Sequence, residues 1–172
     1  MYRIEINDAQ IMTGLNLLAS GMADMTPAMQ EIVEFMLVTT KNRFPSGVAP
    51  DGTPWAPKSP VTLAAYARRG DRQDSRPLFG PTGVLSKDIF GVAAPDSAEI
   101  GSPMIYAAVM QFGAAQGQFG ARIGKDKLGR DHFHHIPWGD IPARPFLGLS
   151  DTDREGVLEI IAEYLDALSQ GR

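Results

Sequence analysis

The chain contains 172 residues, with a formal net charge of −4 and no cysteine. The acidic balance argues against broad binding to nucleic-acid backbone, and the lack of cysteine excludes thiol chemistry, disulfides and cysteine-ligated zinc. A chain of this length can bury a sizeable core, so we expect a single domain over residues 1–172, without a secretory signal or a membrane-spanning segment.

The first part of the chain is predicted to form one strand and two helices. Residues 2–6 alternate between apolar and polar side chains, which is typical of a strand. Residues 8–20 carry apolar side chains at helical spacing. Thr26 followed by Pro27 predicts the start of a longer helix, because a hydroxyl N-cap and a proline at the first helical position are both favoured there. We expect this second helix to be the main helix of the domain.

The next segment is rich in proline and in charge. Residues 44–58 contain four prolines and predict an irregular loop, in which Trp55 either pins the loop to the body of the domain or faces a partner. Ser59 and Pro60 predict the N-terminus of a short helix. Residues 68–77 carry dense opposing charges without apolar anchors, so we expect a mobile, solvated loop there.

A β-hairpin, a short helix and an arm are predicted further along. Residues 89–93 and 98–101 are two short apolar runs separated by turn-forming residues, which predicts a hairpin. Residues 106–112 predict a short helix that ends at Gly113. The glycine-rich stretch at about 113–136 has little periodicity, so we expect a projecting loop or arm, an inter-subunit loop or a disordered insert there.

The last predicted element is an amphipathic helix over about residues 151–169, with Ser150 as its N-cap. Together the elements predict an α+β fold, in which a small antiparallel or mixed sheet is packed by the long N-terminal helix and the C-terminal helix. We expect long loops to project from this body at residues 44–58, 68–77 and 113–136.

One histidine cluster is the strongest candidate for chemistry. His132, His134 and His135 carry imidazoles that can bind a transition metal, but no carboxylate lies at a familiar ligand spacing apart from Asp131. We therefore interpret the segment as a solvated or interface loop and keep a metal site as the alternative. We predict no catalytic residue, no cofactor and no metal in this protein.

The sequence IPARPFLGLS at residues 141–150 predicts a stiff, extended arm. Pro142 and Pro145 fix their own φ angles and push the preceding residues toward extended backbone, while Phe146 supplies an apolar anchor. Arg144, between the two prolines, has two interpretations. It is either a surface arginine whose stem packs on Phe146, or a fixed guanidinium that pairs with a carboxylate on a neighbouring subunit. In the second case, replacing Arg144 leaves the subunit folded and weakens assembly.

Several segments, taken in order, resemble one known family. They are PDGTPW at residues 50–55, a Thr-Gly-x-Leu core at 82–85, Ile100-Gly101, the 106–113 segment that ends in Gln-Phe-Gly, and IPARPFLGLS before the last helix. Spread over roughly residues 30–168, this set is similar to the phage virion-morphogenesis or tail-completion proteins of Mu-like and P2-like tailed phages. One departure is Met110, where the family pattern leads us to expect a histidine.

The resemblance implies a structural protein of a bacteriophage or prophage virion, with no enzymatic activity. Such a protein acts at the head-tail connector (the neck) or at the tail end, as a tail terminator or a subunit that joins tail to head. It implies a homo-oligomeric ring, six-fold or twelve-fold, that is made in the host cytoplasm and contacts the neighbouring neck and tail proteins. DNA is expected to pass through the channel of the ring without specific binding.

A closed ring needs two different, complementary faces on each subunit. We expect the stiff arm to form one face. The other face is expected to include the loop that carries Trp55 or the segment at residues 106–112. The predicted subunit or partner interface comprises Arg144, Pro145, Phe146, Trp55, Tyr106 and Phe112. The alternatives to a virion protein are a binding module that acts outside the virion and a metal-dependent enzyme that uses the histidine loop.

Overall fold

The computed structural model describes residues 9–118, 121–125, 128–135 and 140–170, with the backbone alone described at residues 9, 10, 121–125 and 131–135. The described residues form helices α1 (Ala9–Ala23), α2 (Thr26–Ser46), α3 (Pro60–Arg69), α4 (Val84–Lys87), α5 (Ala107–Phe112) and α6 (Asp151–Ser169). They also form strands β1 (Phe90–Ala94), β2 (Ser97–Gly101), β3 (Ala121–Lys125) and β4 (Asp131–His135). The α+β fold class is confirmed. The strand predicted at residues 2–6 lies outside the described residues.

The chain divides into two compact units. The first unit comprises Met1–Thr40, Ile89–Gly101 and Leu149–Arg172, and the second comprises Lys41–Asp88 and Ser102–Gly148. Buried apolar side chains are found in both, so each unit has a core of its own. The single domain over residues 1–172 stays a prediction.

The core of the first unit is built on one face of α2. Thr26 is the first residue of this helix and Pro27 the second, close to the predicted start. Four buried side chains then recur at every fourth position: Ala28, Ile32, Met36 and Thr40. This spacing places them on one side of the helix, so α2 is the main helix of the first unit, as predicted.

The predicted hairpin is confirmed, and it packs on α2. β1 and β2 pair antiparallel, with Gly91 opposite Ile100. A Cβ placed on Gly91 would lie 2.5 Å from Cγ1 of Val33 in α2. The strand therefore approaches the helix more closely than a residue with a side chain would allow.

Helix α6 lies against both other helices of the first unit. A Cβ placed on Gly156 would lie 2.5 Å from the Phe35 ring of α2, so the two helices touch at this point. The Tyr164 hydroxyl lies 3.1 Å from the backbone oxygen of Gly21, where it can donate a hydrogen bond to α1. The long helix α2 thus packs on the small antiparallel sheet as predicted, and the C-terminal helix packs on α1 and α2.

Two predicted helix N-termini are confirmed by their capping bonds. Ser59 Oγ accepts a hydrogen bond from Thr62 N at the start of α3. Ser150 Oγ accepts from Asp153 N at 3.1 Å, and Asp153 Oδ2 accepts from Ser150 N at 2.8 Å, which is a complete capping box. Each cap satisfies backbone donors that the first helical turn leaves unpaired.

The core of the second unit is a cluster of aromatic rings around Phe44. Its ring centroid lies 5.7 Å from that of Trp55, 6.3 Å from Phe79 and 5.5 Å from Phe146. Phe44 is fully buried and Trp55 is 6% exposed. The segment predicted to project at residues 44–58 is therefore anchored in the core at Phe44 and Trp55, while residues 51–54 between them are exposed. Its prolines make the backbone irregular, but its aromatic side chains hold it in the core.

The projecting loop or arm at about 113–136 stays a prediction, but part of this segment forms strands. Within it, β3 and β4 form an antiparallel hairpin, with Ile123 opposite Phe133. Before this hairpin, Ala114 forms an isolated bridge with Ile141. Glycines and mixed charges obscured the strand periodicity, because backbone pairing between the strands needs no regular apolar pattern.

The predicted loop at 68–77 begins exposed and ends tied to the second unit. Arg69 Nε donates to Asp71 Oδ2 at 2.7 Å on its exposed part. Further on, the Lys58 ammonium donates to the backbone oxygen of Asp74. Backbone hydrogen bonding thus fixes a segment whose composition alone predicted a solvated loop.

Candidate functional site

The arm at residues 141–148 lies beside α5 in the second unit. Ala114 N donates to Ile141 O at 2.9 Å, and Ile141 N donates to Ala114 O at 2.7 Å. Arg144 N donates to Met110 O at 2.7 Å, at the C-terminal end of α5. These bonds satisfy backbone groups at both the arm and the helix terminus, so the arm is docked within its own chain.

Gln111 of α5 holds the arm through a single side chain. Its Oε1 accepts from Phe146 N at 2.9 Å and from Leu147 N at 3.0 Å. Its Nε2 donates to Leu147 O at 2.8 Å. The carboxamide therefore pairs with the arm as a backbone strand would, because it carries one acceptor and two donors on a planar group.

Two further side chains donate hydrogen bonds to three other carbonyl oxygens of the arm. Trp55 Nε1 donates to Pro145 O at 2.8 Å. Arg43, in the last turn of α2, donates from Nη1 to Phe146 O at 3.0 Å and to Gly148 O at 2.9 Å. A donor bonded to both oxygens fixes the bend of the arm between them. Of the two predicted roles of Trp55, the structure supports pinning.

Arg144 lies inside the second unit rather than on its surface. It is 7% exposed, Nε donates to Ala56 O at 2.7 Å, and Nη2 donates to Pro57 O at 2.9 Å. A third carbonyl, that of Pro142, lies 3.4 Å from Nη1. Burial lowers the pKa of Arg144, and the carbonyl dipoles around the guanidinium partly replace water. The interpretation as a surface arginine packed on Phe146 is wrong.

Phe146 is wholly buried and Pro145 is half-buried. Together with the buried Arg144 and Trp55, they form the brace that joins the arm to the 44–58 segment. The buried side chains have no surface to offer a partner in this structure. The interface role predicted for these residues stays a prediction.

Lys58 adds a second cation close to this brace. Its ammonium donates to the backbone oxygens of Asp74 and Phe79 and lies 5.5 Å from the centre of the Tyr66 ring. Burial lowers the pKa of Lys58 most, and the neighbouring charge of Asp74 opposes this effect. The lysine thus replaces water as the donor to two loop carbonyls.

Exposed apolar side chains lie on α5 and in the turn just before it. Ile105 is 98% exposed and Phe112 is 79% exposed, and Ala108 between them is exposed as well. Ala108 and Phe112 are four positions apart and so share one side of α5, whereas Ile105 precedes the helix. These three residues are here called the α5 stripe. Large side chains rarely stay this exposed in an apolar cluster without a partner.

Tyr106 lies next to the α5 stripe and is partly exposed. It is 40% exposed, and partial burial raises the pKa of its hydroxyl, with a smaller contribution from the charge of Asp88. Tyr106 and Phe112 are therefore the two predicted interface residues that present surface. Ile105 belongs with them and was missed, because nothing in its sequence surroundings separates an exposed isoleucine from a buried one.

The predicted histidine cluster lies on β4, but its side chains are outside the described part of the molecule. Among the residues whose side chains are described, three or more histidines, cysteines or carboxylates do not gather in a group that could hold a metal ion. In that same part of the chain, none of the helices combines the length and the apolar character needed to span a membrane. The absence of a metal site stays a prediction.

The bracing residues Gln111, Arg43 and Lys58 were not singled out from the sequence. Gln111 belongs to a Gln-Phe-Gly run in which each residue has a different environment. Gln111 is half-buried and bonds the arm, Phe112 is exposed, and Gly113 is the residue that the arm approaches most closely. At Gly113, φ is +76° and a Cβ would lie 2.7 Å from Ile141 O. The sequence signal that could have indicated this contact is Gly113, directly after the helix, because the absence of a side chain there permits the arm to approach.

A comparison with protein-family models matches the phage virion morphogenesis family over residues 6–166. The chain belongs to this family. A curated relative, Mu-like prophage FluMu G protein 2 of Haemophilus influenzae, is 29% identical over 169 residues, which cover 98% of this chain and 99% of the relative. No solved structure matches the chain significantly.

Family membership confirms the resemblance drawn from the ordered motifs. The protein has a structural or assembly role in a bacteriophage or prophage virion, since its family is one of virion morphogenesis. Met110 stands where the family pattern leads us to expect a histidine, and its backbone oxygen accepts a hydrogen bond from Arg144 N. Any residue type can supply that contact, so the departure leaves the docking of the arm intact.

Proposed function

We propose that this protein is a non-enzymatic subunit of a homo-oligomeric ring at the neck or the tail end of the virion. The ring completes the tail or joins it to the head and contacts the adjacent neck and tail proteins. Six-fold or twelve-fold symmetry fits this position, and the subunit is made in the host cytoplasm. The net charge of −4 supports a channel that DNA crosses without specific binding.

The α5 stripe is the observation that carries this proposal. Its helix is held by the docked arm, through Gln111 and through Ala114 just after the helix. An exposed apolar surface on a braced element loses little conformational entropy when a partner binds. We assign Phe112, Ile105 and Tyr106 to an interface with a neighbouring subunit or neck protein.

The arm and Trp55 keep a place in this proposal, but as supports of the interface. Arg144, Pro145, Phe146 and Trp55 are packed behind α5 in the same unit, where they fix the orientation of the helix. Loss of this support would displace the exposed stripe. These four residues therefore affect assembly through the fold of the subunit.

The first experiment is electron microscopy of lysates from a phage or prophage that lacks this gene. We expect filled heads separate from tails, or tails of abnormal length, and recovery of intact particles when the gene is supplied from a plasmid. Normal infectious particles in the absence of the gene would overturn the proposed function.

Complementation by matched variants then tests the stripe. Phe112→Asp is expected to lower the titre of infectious particles while the purified protein keeps its thermal stability, because the ring is 79% exposed. Val61→Asp is the control, since Val61 on α3 is 75% exposed and is also apolar. Equal titres for the two variants would exclude the α5 stripe from the interface.

A further inference from the structure

A cavity of about 100 Å³ in the second unit is lined by three cations. Arg72, Arg76 and Lys87 line it together with one carboxylate, that of Asp74, and with Phe79 and Thr82 among the other lining residues. The space is large enough for a carboxylate or another small oxyanion. Its cationic lining is unusual for a chain whose overall charge is negative.

Only one of these cations is neutralised by a carboxylate in the described residues. Arg76 binds Asp74 through Nε at 3.0 Å and through Nη2, and its guanidinium carbon lies 3.6 Å from the centre of the Phe79 ring. Lys87 donates to the backbone oxygen of Thr82 at 3.3 Å, and Arg72 has no hydrogen bond or ion pair within the described part of the chain. Two positive charges at this cavity therefore lack a counterion.

Helix α6 in the first unit presents the opposite charge. Glu155, Glu159 and Glu163 follow one another at intervals of four residues, are all exposed, and make no ion pair with any described residue. Like charges at this spacing destabilise a helix. Arg154 is the only basic residue of α6. A surface that retains such repulsion is relieved when cations dock on it.

We propose that the cavity at Arg72 and Lys87 receives a carboxylate from the α6 acidic ladder of a second copy of this chain. The inference rests on the proposed ring, because a contact between two different faces is the kind that closes a ring. Docking neutralises an excess of positive charge on one subunit and of negative charge on the next. The exposed Leu158, between the first two glutamates, provides an apolar contact for the cavity wall that contains Phe79.

Charge complementarity within the one sequence favours a second copy over DNA as the source of the oxyanion. The cationic residues surround a cavity for a single group, whereas binding along a nucleic-acid backbone uses repeated contacts spread over a basic surface. The acidic ladder is repelled by phosphates but attracted by the cavity. Both faces find their counterpart on the same protein.

A charge-exchange experiment tests the contact in complementation of the gene-deleted prophage. One variant combines Arg72→Glu with Lys87→Glu, and another combines Glu159→Lys with Glu163→Lys. Each is expected to lower the titre by about 100-fold, because like charges then oppose each other across the interface. The chain that carries all four substitutions is expected to restore the titre to within about tenfold of wild type.

Co-expression of the two double variants provides an independent arm. Alternation of the two around the ring places opposite charges at every contact, so even-numbered rings are restored without any chain carrying both changes. The thermal stability of each purified variant is measured to establish that the double variants fold. If a double variant does not fold, the same two positions are changed to glutamine instead. These neutral variants are expected to lower the titre by about tenfold.

The inference would be overturned if neither the chain with all four substitutions nor the co-expressed pair gave a higher titre than the double variant at Arg72 and Lys87 alone. The proposed function would still stand if the deletion gave separate heads and tails. Loss of salt-sensitive binding to duplex DNA by the cavity variant, combined with no rescue, would instead assign the cavity to DNA phosphate. An undisturbed titre for both double variants would also refute the contact.

Discussion

The side-chain amide of Gln111 pairs with both polar groups of the Leu147 backbone, as a neighbouring strand would. Oε1 accepts from Leu147 N at 3.0 Å and Nε2 donates to Leu147 O at 2.8 Å. The same oxygen accepts from Phe146 N at 2.9 Å. One side chain on α5 thereby fixes the arm whose aromatic anchor is fully buried in the second unit.

Replacement of Gln111 by alanine is expected to destabilise the protein by about 2–4 kcal/mol, because two donors and one acceptor of the arm lose their partners. Urea denaturation followed by circular dichroism measures this difference. Gln116→Ala is the control, since that residue is exposed and bonds Asp140 through its backbone. An equal urea midpoint for Gln111→Ala and for the control would show that water replaces the hydrogen bonds of Gln111 without loss of stability.

Arg144→Ala is expected to destabilise the subunit itself by about 2–4 kcal/mol, since the carbonyls of Ala56 and Pro57 lose their charged donor. This reverses the expectation from the sequence, in which the subunit stays folded and only assembly suffers. Arg68→Ala, at an exposed position of α3, is the matched control and is expected to change stability by less than about 0.5 kcal/mol. An unchanged denaturation curve for Arg144→Ala, with lost complementation, would restore the docking role of the arginine.

The close approach of the arm to Gly113 predicts a difference between two glycines of similar φ. Gly113 has φ +76° and Gly117 has φ +80°, but a Cβ would lie 2.7 Å from Ile141 O at the first and meet nothing within 4 Å at the second. Gly117→Ala is expected to cost about 1–2 kcal/mol for the positive φ alone. Gly113→Ala adds a clash with the backbone, so it is expected to lower the thermal midpoint by considerably more. Equal midpoints would mean that the arm moves away without loss.

The ion pair of Asp74 with Arg76 predicts a dependence of stability on pH. The Arg76 hydrogen bond is the main cause that holds the pKa of Asp74 well below its ordinary value of 3.8. The native state therefore binds this proton more weakly than the unfolded state, and the pair stabilises the fold at pH values above the unfolded pKa. This stabilisation is lost as the pH falls below that value toward the native one.

The corresponding measurement is urea denaturation of wild type and Asp74→Asn between about pH 3 and about pH 7. The difference in unfolding free energy is expected to be largest near neutral pH and to shrink in acid. Arg76→Met is expected to remove most of the same pH dependence, because it removes the charged hydrogen-bond donor while leaving the Asp74 carboxyl. A difference that stays constant across the range would assign the effect of Asp74→Asn to packing alone.

Local signals were sufficient for most helices and for one hairpin. The hydroxyl caps at Ser59 and Ser150 act within three residues of themselves, so the start of α3 and of α6 can be read directly from the chain. The β1–β2 hairpin likewise joins neighbours through a short turn. The β3–β4 hairpin was missed, because backbone pairing holds it and its glycines and charges give no alternating pattern.

The candidate site was predicted only in part. Tyr106 and Phe112 present surface, whereas Trp55 and Phe146 became core because Phe44 and Phe79 close around them. Burial of an aromatic ring depends on what packs against it from distant parts of the chain. The order of motifs was the stronger guide to function, and it led to the correct family.

The sequence alone determined the starts of α3 and α6 and the stiffness of the arm, because capping and proline geometry act over a few neighbouring residues. The order of motifs along the chain was sufficient for the family. Tertiary structure alone decided that the arm docks within its own chain and that Arg144 donates to carbonyl groups of that chain. The contacts of Arg144 with Ala56 and Pro57 join residues nearly ninety positions apart, and their free energy depends on desolvation and geometry that exist only once the second unit has folded.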